Sequence, residues 1–400
     1  MNILYYCDEY PPARNGGIGT VVKLVAEDMA RRGHQVTVAG KYWEGEGKTT
    51  VEQINGVTVI RWHKGSYNTL GIKSCDLFHL GDYRKRKAQR VLWRTHKLME
   101  KLVGKCEVDI VEMPDYVDDF INNDGLVTSQ MRFSVPTVLR VHGSVSFLYC
   151  QTEGKMRPQK LAQDRGHFGR ADAICAVSEF SKRFVTEYIC PEKAVDVIYN
   201  PIESQWFEGL KEEKPSQTVV YFGKIAAMKG VFSLIKAFNI VAEKHPQARL
   251  RIVGSGDLEQ AKSLVDSRFA DRVEFVGFKP HAEIMDEIDE AAFCVLPSYS
   301  ENFSMAALEV LARKKALVYT NRASGNELID DGVDGLLVNP DDVGQIAEKM
   351  DSLLSDADLR HRLAEKGYEM CRQRFSTETI VPQLEQYYQN LIEKCRKQGS

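Results

Sequence analysis

No apolar run in the sequence approaches the roughly 18 residues that a membrane-crossing helix needs, so the chain is not organised around a bilayer span. An excess of one charge is missing too: the formal net charge is −3 with 27% charged residues, and that balance does not call for nucleic acid as a partner. There is no Cys-x-x-Cys pair. The nine cysteines, at positions 7, 75, 106, 150, 175, 190, 294, 371 and 395, are odd in number and scattered, with no histidine at zinc-site spacing. They argue for reduced, mostly buried thiols, and against a disulfide framework or a structural metal. Met1 leads into Asn2-Ile3-Leu4-Tyr5-Tyr6-Cys7 without a basic region or a cleavage site, and a cytoplasmic location is the expectation.

What is present is a globular composition, 43% hydrophobic, spread over 400 residues. One core rarely serves more than about 250–300 residues, so two domains of similar size are expected. Short β-branched or aliphatic runs alternate with longer segments of helical period, the pattern of βα units building a parallel sheet. In the first half the runs are Asn2–Cys7, Gln35–Ala39, Val57–Arg61, Ile110–Glu112, Thr137–Val141, Ala173–Val177 and Val195–Ile198. The first helix is placed over Thr20–Arg32, stopped by Gly33. The alternation restarts with Val219–Phe222, Leu250–Val253, Val273–Val276, Phe293–Leu296, Leu317–Thr320 and Gly335–Val338. The join lies near Asn200-Pro201-Ile202, before the polar stretch Glu208–Ser216. These readings divide the chain into domains 1–202 and 203–380, with a last helical run, Val381–Lys397, crossing back so that 381–400 packs on the first domain.

A doubly wound sheet invites a dinucleotide-binding reading, and the glycines fail its test of strand, tight turn, helix start and ribose-binding acid. Gly17-Ile18-Gly19 is separated from the first strand by Pro11-Pro12 and lacks a third glycine, while Gly254-Ser255-Gly256 follows a strand but has Glu259 where the third glycine belongs.

The most informative stretch is Pro297-Ser298-Tyr299-Ser300-Glu301-Asn302-Phe303-Ser304-Met305-Ala306-Ala307-Leu308-Glu309, which leaves a strand and opens a helix. With Glu301 in the loop and Glu309 on the second helical turn, the backbone N–H groups of Phe303, Ser304 and Met305 lie between two carboxylates. Such a helix start attracts phosphate through unpaired donors and a dipole worth roughly half a positive charge. One ligand could set sugar hydroxyls on Glu301, phosphates on the helix start and ribose hydroxyls on Glu309. Lys224 and Lys229 bracket another strand-to-helix turn, where two cations can neutralise a diphosphate leaving group without a metal ion.

This segment resembles the Glu-(seven residues)-Glu motif of retaining GT-B glycosyltransferases, and the wider chain resembles glycosyltransferase family 4. The match runs through Pro12 to Gly19, Val141-His142-Gly143, Ala176-Val177-Ser178, Ile198-Tyr199-Asn200-Pro201, Tyr221-Phe222-Gly223-Lys224 with Lys229-Gly230, Ile252-Val253-Gly254-Ser255-Gly256, Val276-Gly277-Phe278, Glu327 and Gly335. The resemblance implies an α/β chain of two Rossmann-like doubly wound domains facing a cleft, the GT-B fold. It implies Lys224, Lys229, Glu301 and His142 as catalytic residues, His142 facing the transferred sugar. It implies Gly16, Gly17, Gly254, Phe278, Asn302, Phe303, Ser304, Met305 and Glu309 as donor-binding residues. Four positions depart from the family pattern: Lys224 stands where arginine is usual, Ser304 where glycine is frequent, and Lys314 and Ala316 where a glycine and a proline are common.

The expected reaction moves a hexose-type sugar from a nucleotide-diphosphate sugar, its co-substrate, to a glycan or lipid-linked acceptor. It proceeds with retention, without cofactor or metal, in surface polysaccharide biosynthesis. A sugar synthase, a nucleotide-sugar epimerase and a catalytically silent nucleotide-sugar-binding protein stay open as alternatives. The one aspartate-rich stretch, Asp115 to Asp119, reads as a helix start rather than a metal site. Between Arg84 and Lys105 there are nine Lys/Arg residues and one acid, Glu100, at amphipathic helical spacing. That helix is either a solvated cover over the first domain or a peripheral dock on an anionic membrane surface.

Overall fold

A computed structural model describes residues 1–12, 16–42, 49–63, 81–121, 131–211 and 215–399, without the side chains of 63, 81–84, 119, 121 and 399. The chain divides into two compact units, Met1–Pro201 with Ile380–Ser400, and Ile202–Thr379.

The first unit is built on an eight-stranded sheet: β1 (Asn2–Tyr6), β2 (Gln35–Tyr42), β3 (Thr50–Ile54), β4 (Val57–His63), β5 (Ile110–Pro114), β6 (Thr137–Val141), β7 (Ala173–Ala176) and β8 (Val195–Val197), in the order β3-β4-β2-β1-β5-β6-β7-β8. All pairings are parallel except β3 with β4. Strands β5 and β6 are buried along their whole length, which is why they read as unbroken apolar runs rather than alternations. Strand β3 is absent from the sequence reading because it lies at the sheet edge with Thr50, Val51, Glu52 and Gln53 exposed, so no apolar period marks it. Its signal is the turn: Asn55 and Gly56 take φ of 49° and 84°, the conformation an Asn-Gly hairpin adopts.

Helix α1 (Gly17–Arg31) buries Val21, Val22, Leu24, Val25 and Met29. Helix α2 (Gly81–Lys105) buries Ala88, Leu92, Met99 and Val103. Helices α3 (Val145–Glu153) and α4 (Pro158–Phe168) follow β6.

The second unit carries a six-stranded, wholly parallel sheet: β9 (Thr218–Phe222), β10 (Arg249–Val253), β11 (Val273–Gly277), β12 (Phe293–Leu296), β13 (Ala316–Thr320) and β14 (Leu336–Val338), ordered β11-β10-β9-β12-β13-β14. From β9 the chain winds one way through β10 and β11, then returns to the other side of β9 with β12. The switch point lies between β9 and β12, and in such sheets ligands bind outside the carboxyl ends of the strands at that place. Helices α5 (Val231–Lys244), α6 (His281–Glu290) and α7 (Met305–Ala312) follow β9, β11 and β12. The final helix, α8 (Thr377–Gly399), carries its 380–399 part in the first unit, where the Tyr388 hydroxyl donates to the buried Glu112 carboxylate and Arg396 pairs with Asp109 at 2.9 Å.

Candidate active site

Three loops at the carboxyl ends of β9, β10 and β12 are stitched together through their backbones. Gly230 has φ of 71°, and a Cβ on it would stand 1.8 Å from the carbonyl oxygen of Pro297. Glycine is therefore what lets the loop after β9 lie against the loop after β12. The contact is completed by Tyr299 N–H donating to Met228 O at 2.9 Å. Gly254 meets Gly223 in the same way, with a Cβ position 1.8 Å from the Gly223 carbonyl, and Ile225 N–H donates to Ser255 O at 2.9 Å.

This framework brings two of the expected catalytic side chains together. Lys229 Nζ donates to Glu301 Oε1 at 2.6 Å, the amine 31% and the carboxylate 18% exposed. The Glu301 backbone is anchored from the other side, its carbonyl accepting from the Ser324 hydroxyl at 2.9 Å. Lys224 lies on the same turn as Lys229 and is exposed, its carbonyl accepting from the Tyr221 hydroxyl at 2.8 Å.

Helix α7 opens slightly later than the expected donors Phe303, Ser304 and Met305 imply: its first residue is Met305, and Ser304 is the cap, its hydroxyl accepting from Ala307 N–H at 3.2 Å. The N–H groups of Met305 and Ala306, one turn too early for an intrahelical partner, remain at the helix start. Phe303 is buried against Phe375, ring centroids 5.3 Å apart, and Asn302 precedes it in the loop. Glu309, on the second turn, is buried and bonded by His281 Nε2 at 2.8 Å, with the His281 ring 5.2 Å from that of Trp206. His281 is a neighbour the sequence reading missed. Phe278, just beyond β11, is 78% exposed, an aromatic face standing clear at the strand ends. Lys314 takes φ of 55°, a left-handed backbone that glycine adopts without strain.

In the first unit His142 follows β6. Burial, with the Arg140 charge beneath it, holds its imidazole down to about 3, so it is neutral at physiological pH. The aspartate-rich stretch opens a short helix, as expected, at Asp118, and Asp115 stands before it. Asp115 is fully buried and accepts the backbone N–H groups of His142 and Gly143. The reason lies in the pairing of β5 with β6, which sets the end of one strand beside the loop leaving the other. Gly16 and Gly17 open α1, and a Cβ on Gly16 would stand 2.4 Å from the Glu9 carboxylate. A side-chain carboxylate thus lies against Gly16, one of the two glycines that the resemblance assigns to donor binding. Burial raises the pKa of Glu9 there.

Among the described residues no group of three or more His, Cys, Asp or Glu is placed to hold a metal ion, and no helix is long and apolar enough to cross a membrane. The exposed face of α2 carries Arg86, Arg90, Arg94, Lys97 and Lys101 with Trp93 and Leu98. Lys97 Nζ sits 4.0 Å over the Trp93 ring, and none of these cations has an acidic partner among the described residues.

Two family models match the chain, "Glycosyltransferase Family 4" over residues 15–206 and "Glycosyl transferases group 1" over residues 203–370. A glycogen synthase of Mycobacterium tuberculosis is 26% identical over 97% of this chain and 94% of its own length. Among solved structures, sucrose-phosphate synthase from Thermosynechococcus elongatus superposes with a TM-score of 0.77 at 19% identity, covering 98% of this chain and 100% of that one. Anabaena HepE in complex with UDP-glucose superposes with a TM-score of 0.66 at 18% identity, again over 98% and 100%. By the family models, which between them span nearly all of its length, and by its two doubly wound parallel sheets, the chain is a family 4 glycosyltransferase of the GT-B type.

Proposed function

We propose that this glycosyltransferase moves a hexose-type sugar from a nucleoside-diphosphate sugar to a glycan or lipid-linked acceptor, without a metal ion and with retention at the anomeric carbon. The observation that carries the proposal is the Lys229–Glu301 pair at the switch point of the second sheet, Lys229 on the loop after β9 and Glu301 on the loop that opens α7. In transfer, positive charge develops on the sugar while negative charge builds on the departing diphosphate. Lys229, Lys224 and the start of α7 answer the second need. Glu301 orients the sugar, Glu309 receives ribose hydroxyls, and Phe278 offers a face to the base. His142, neutral, serves the sugar hydroxyls as donor or acceptor. The acceptor hydroxyl passes its proton to the leaving phosphate oxygen. The UDP-glucose in the HepE complex and the polysaccharide named for the M. tuberculosis relative favour a nucleotide-sugar donor and a glycan product.

The test is turnover of UDP-, GDP- and ADP-glucose by the purified protein, first as slow hydrolysis and then with oligosaccharide acceptors, product configuration being read by NMR. An α-configured product from an α-configured donor, formed equally with and without EDTA, is expected. Inverted product, or activity abolished by the chelator, contradicts the mechanism.

The basic face of α2 supports a second element of the proposal, docking on an anionic membrane surface. On a chain of net charge −3, its cations are segregated onto one face beside an exposed tryptophan and leucine, the composition of an interfacial helix.

A further inference from the structure

The loop that carries His142 is held by two carboxylates that are not part of it. Asp115, at the end of β5, accepts the N–H of His142 at 2.9 Å and that of Gly143 at 3.1 and 3.2 Å to its two oxygens. Asp164, on α4, accepts the N–H of Ser146 at 2.8 Å. Between them the Ser144 hydroxyl accepts from Phe147 N–H at 3.3 Å. Both carboxylates are completely buried.

We propose that Asp115 and Asp164 are positioning residues for sugar transfer, holding residues 142–147, and His142 with them, in the working geometry only while both are ionised. The proposal rests on the role given to His142 above. A carboxylate accepts an N–H bond roughly twice as strongly as a neutral oxygen does, so protonation loosens the loop without removing any atom.

The surroundings set where that happens. The charged group that faces Asp115 from α4 is Asp164, with Lys160 beside Asp164; His167, also on α4, sets its Nε2 3.3 Å from the carbonyl oxygen of Pro114, the residue before Asp115. The Lys160 ammonium donates to the carbonyl of Phe120. Burial outweighs the backbone bonds, pushing Asp115 up to about 7 and Asp164 up to about 6. His142 is driven the other way and does not change charge between pH 5 and 8.

Activity and stability then move in opposite directions. Both folded pKa values lie above the ordinary aspartate value of 3.8, so between about pH 4 and 7 the native chain binds protons that the unfolded chain does not. These two groups therefore add stability as pH falls through 7, while the N–H bonds on the loop weaken. General acid unfolding would lower both together.

The experiment measures kcat and Tm from pH 5 to 8 for the wild type, Asp115→Asn and His142→Ala. The wild type should lose roughly tenfold in kcat as pH falls through about 7, the scale of one weakened charge-assisted hydrogen bond, without a matching fall in Tm. Asp115→Asn should sit near the low plateau at every pH, with no limb near 7. A wild-type limb retained in Asp115→Asn overturns the proposal. Should that variant not fold, the amide resonances of His142 and Gly143 in the wild type supply the readout: a shared titration near pH 7 supports the proposal, and unmoving amides overturn it. Full turnover in His142→Ala sinks the reading of His142 instead, whereas the amide titration reports on the carboxylates alone.

Discussion

Lys229 and Glu301 are 72 positions apart in the chain and 2.6 Å apart in the fold, on loops that leave neighbouring strands of the second sheet. Neither is deeply buried, so the pair adds about 0–1 kcal/mol to stability and its value lies in placing charge. Lys229→Ala and Glu301→Gln should each lower kcat by roughly a hundredfold or more, the scale of losing one preorganised electrostatic contact. Circular dichroism and Tm should stay close to wild type. Near-native turnover in either purified variant would remove this site from the mechanism.

Gly230 is predicted to be intolerant of any side chain. Gly230→Ala places a Cβ 1.8 Å from Pro297 O at φ of 71°, so backbone must move. The combined left-handed strain and overlap should cost about 2–4 kcal/mol in urea unfolding. A variant as stable as wild type would mean the two loops are not locked as described.

Glu309 carries a sharper prediction, because its carboxylate is buried and bonded to the His281 ring. If it receives ribose hydroxyls, Glu309→Gln should raise the donor KM roughly tenfold or more, the worth of a charged hydrogen bond, with a smaller change in kcat. Isothermal titration with the nucleoside diphosphate alone checks this. Equal affinity in both proteins would place the ribose elsewhere.

The basic face of α2 predicts sedimentation with anionic vesicles at low salt. Each cation near such a surface contributes about 1 kcal/mol, so the double reversal Arg90→Glu, Arg94→Glu should lower the partition coefficient at least tenfold. Binding should fade as salt rises. Neutral phosphatidylcholine vesicles are the control. Wild type and variant partitioning alike would show that this face only covers the helix.

Much of the architecture was legible locally. Strands β5, β6, β9 and β12 announce themselves as short apolar runs because both of their faces are covered. The start of α7 is expected over Phe303–Met305, and the Ser304 hydroxyl, a cap before an apolar helical segment, sets it at Met305. Edge strand β3 escaped notice because its side chains face solvent and leave no period, although Asn55-Gly56 marked its turn.

The candidate site was half legible. Glu301, Glu309 and Lys229 stood out as charged residues beside strand-to-helix turns, where sheets of this class present functional groups. Asp115, Asp164 and His281 did not, since each acts on a different element from its own: Asp115 on the loop after β6, Asp164 on the first turn of α3, His281 on α7. Residue type and local period were enough to specify the buried strands and the amphipathic helices, though not edge strand β3, because backbone propensity and the burial of one face or both are properties of a few neighbouring residues. Only the tertiary structure decided that β12 lies beside β9 and β5 beside β6, because strand order depends on how whole layers pack. The pairing of Lys229 with Glu301, and of Asp115 with the backbone of His142, follows from that order rather than from any stretch of chain.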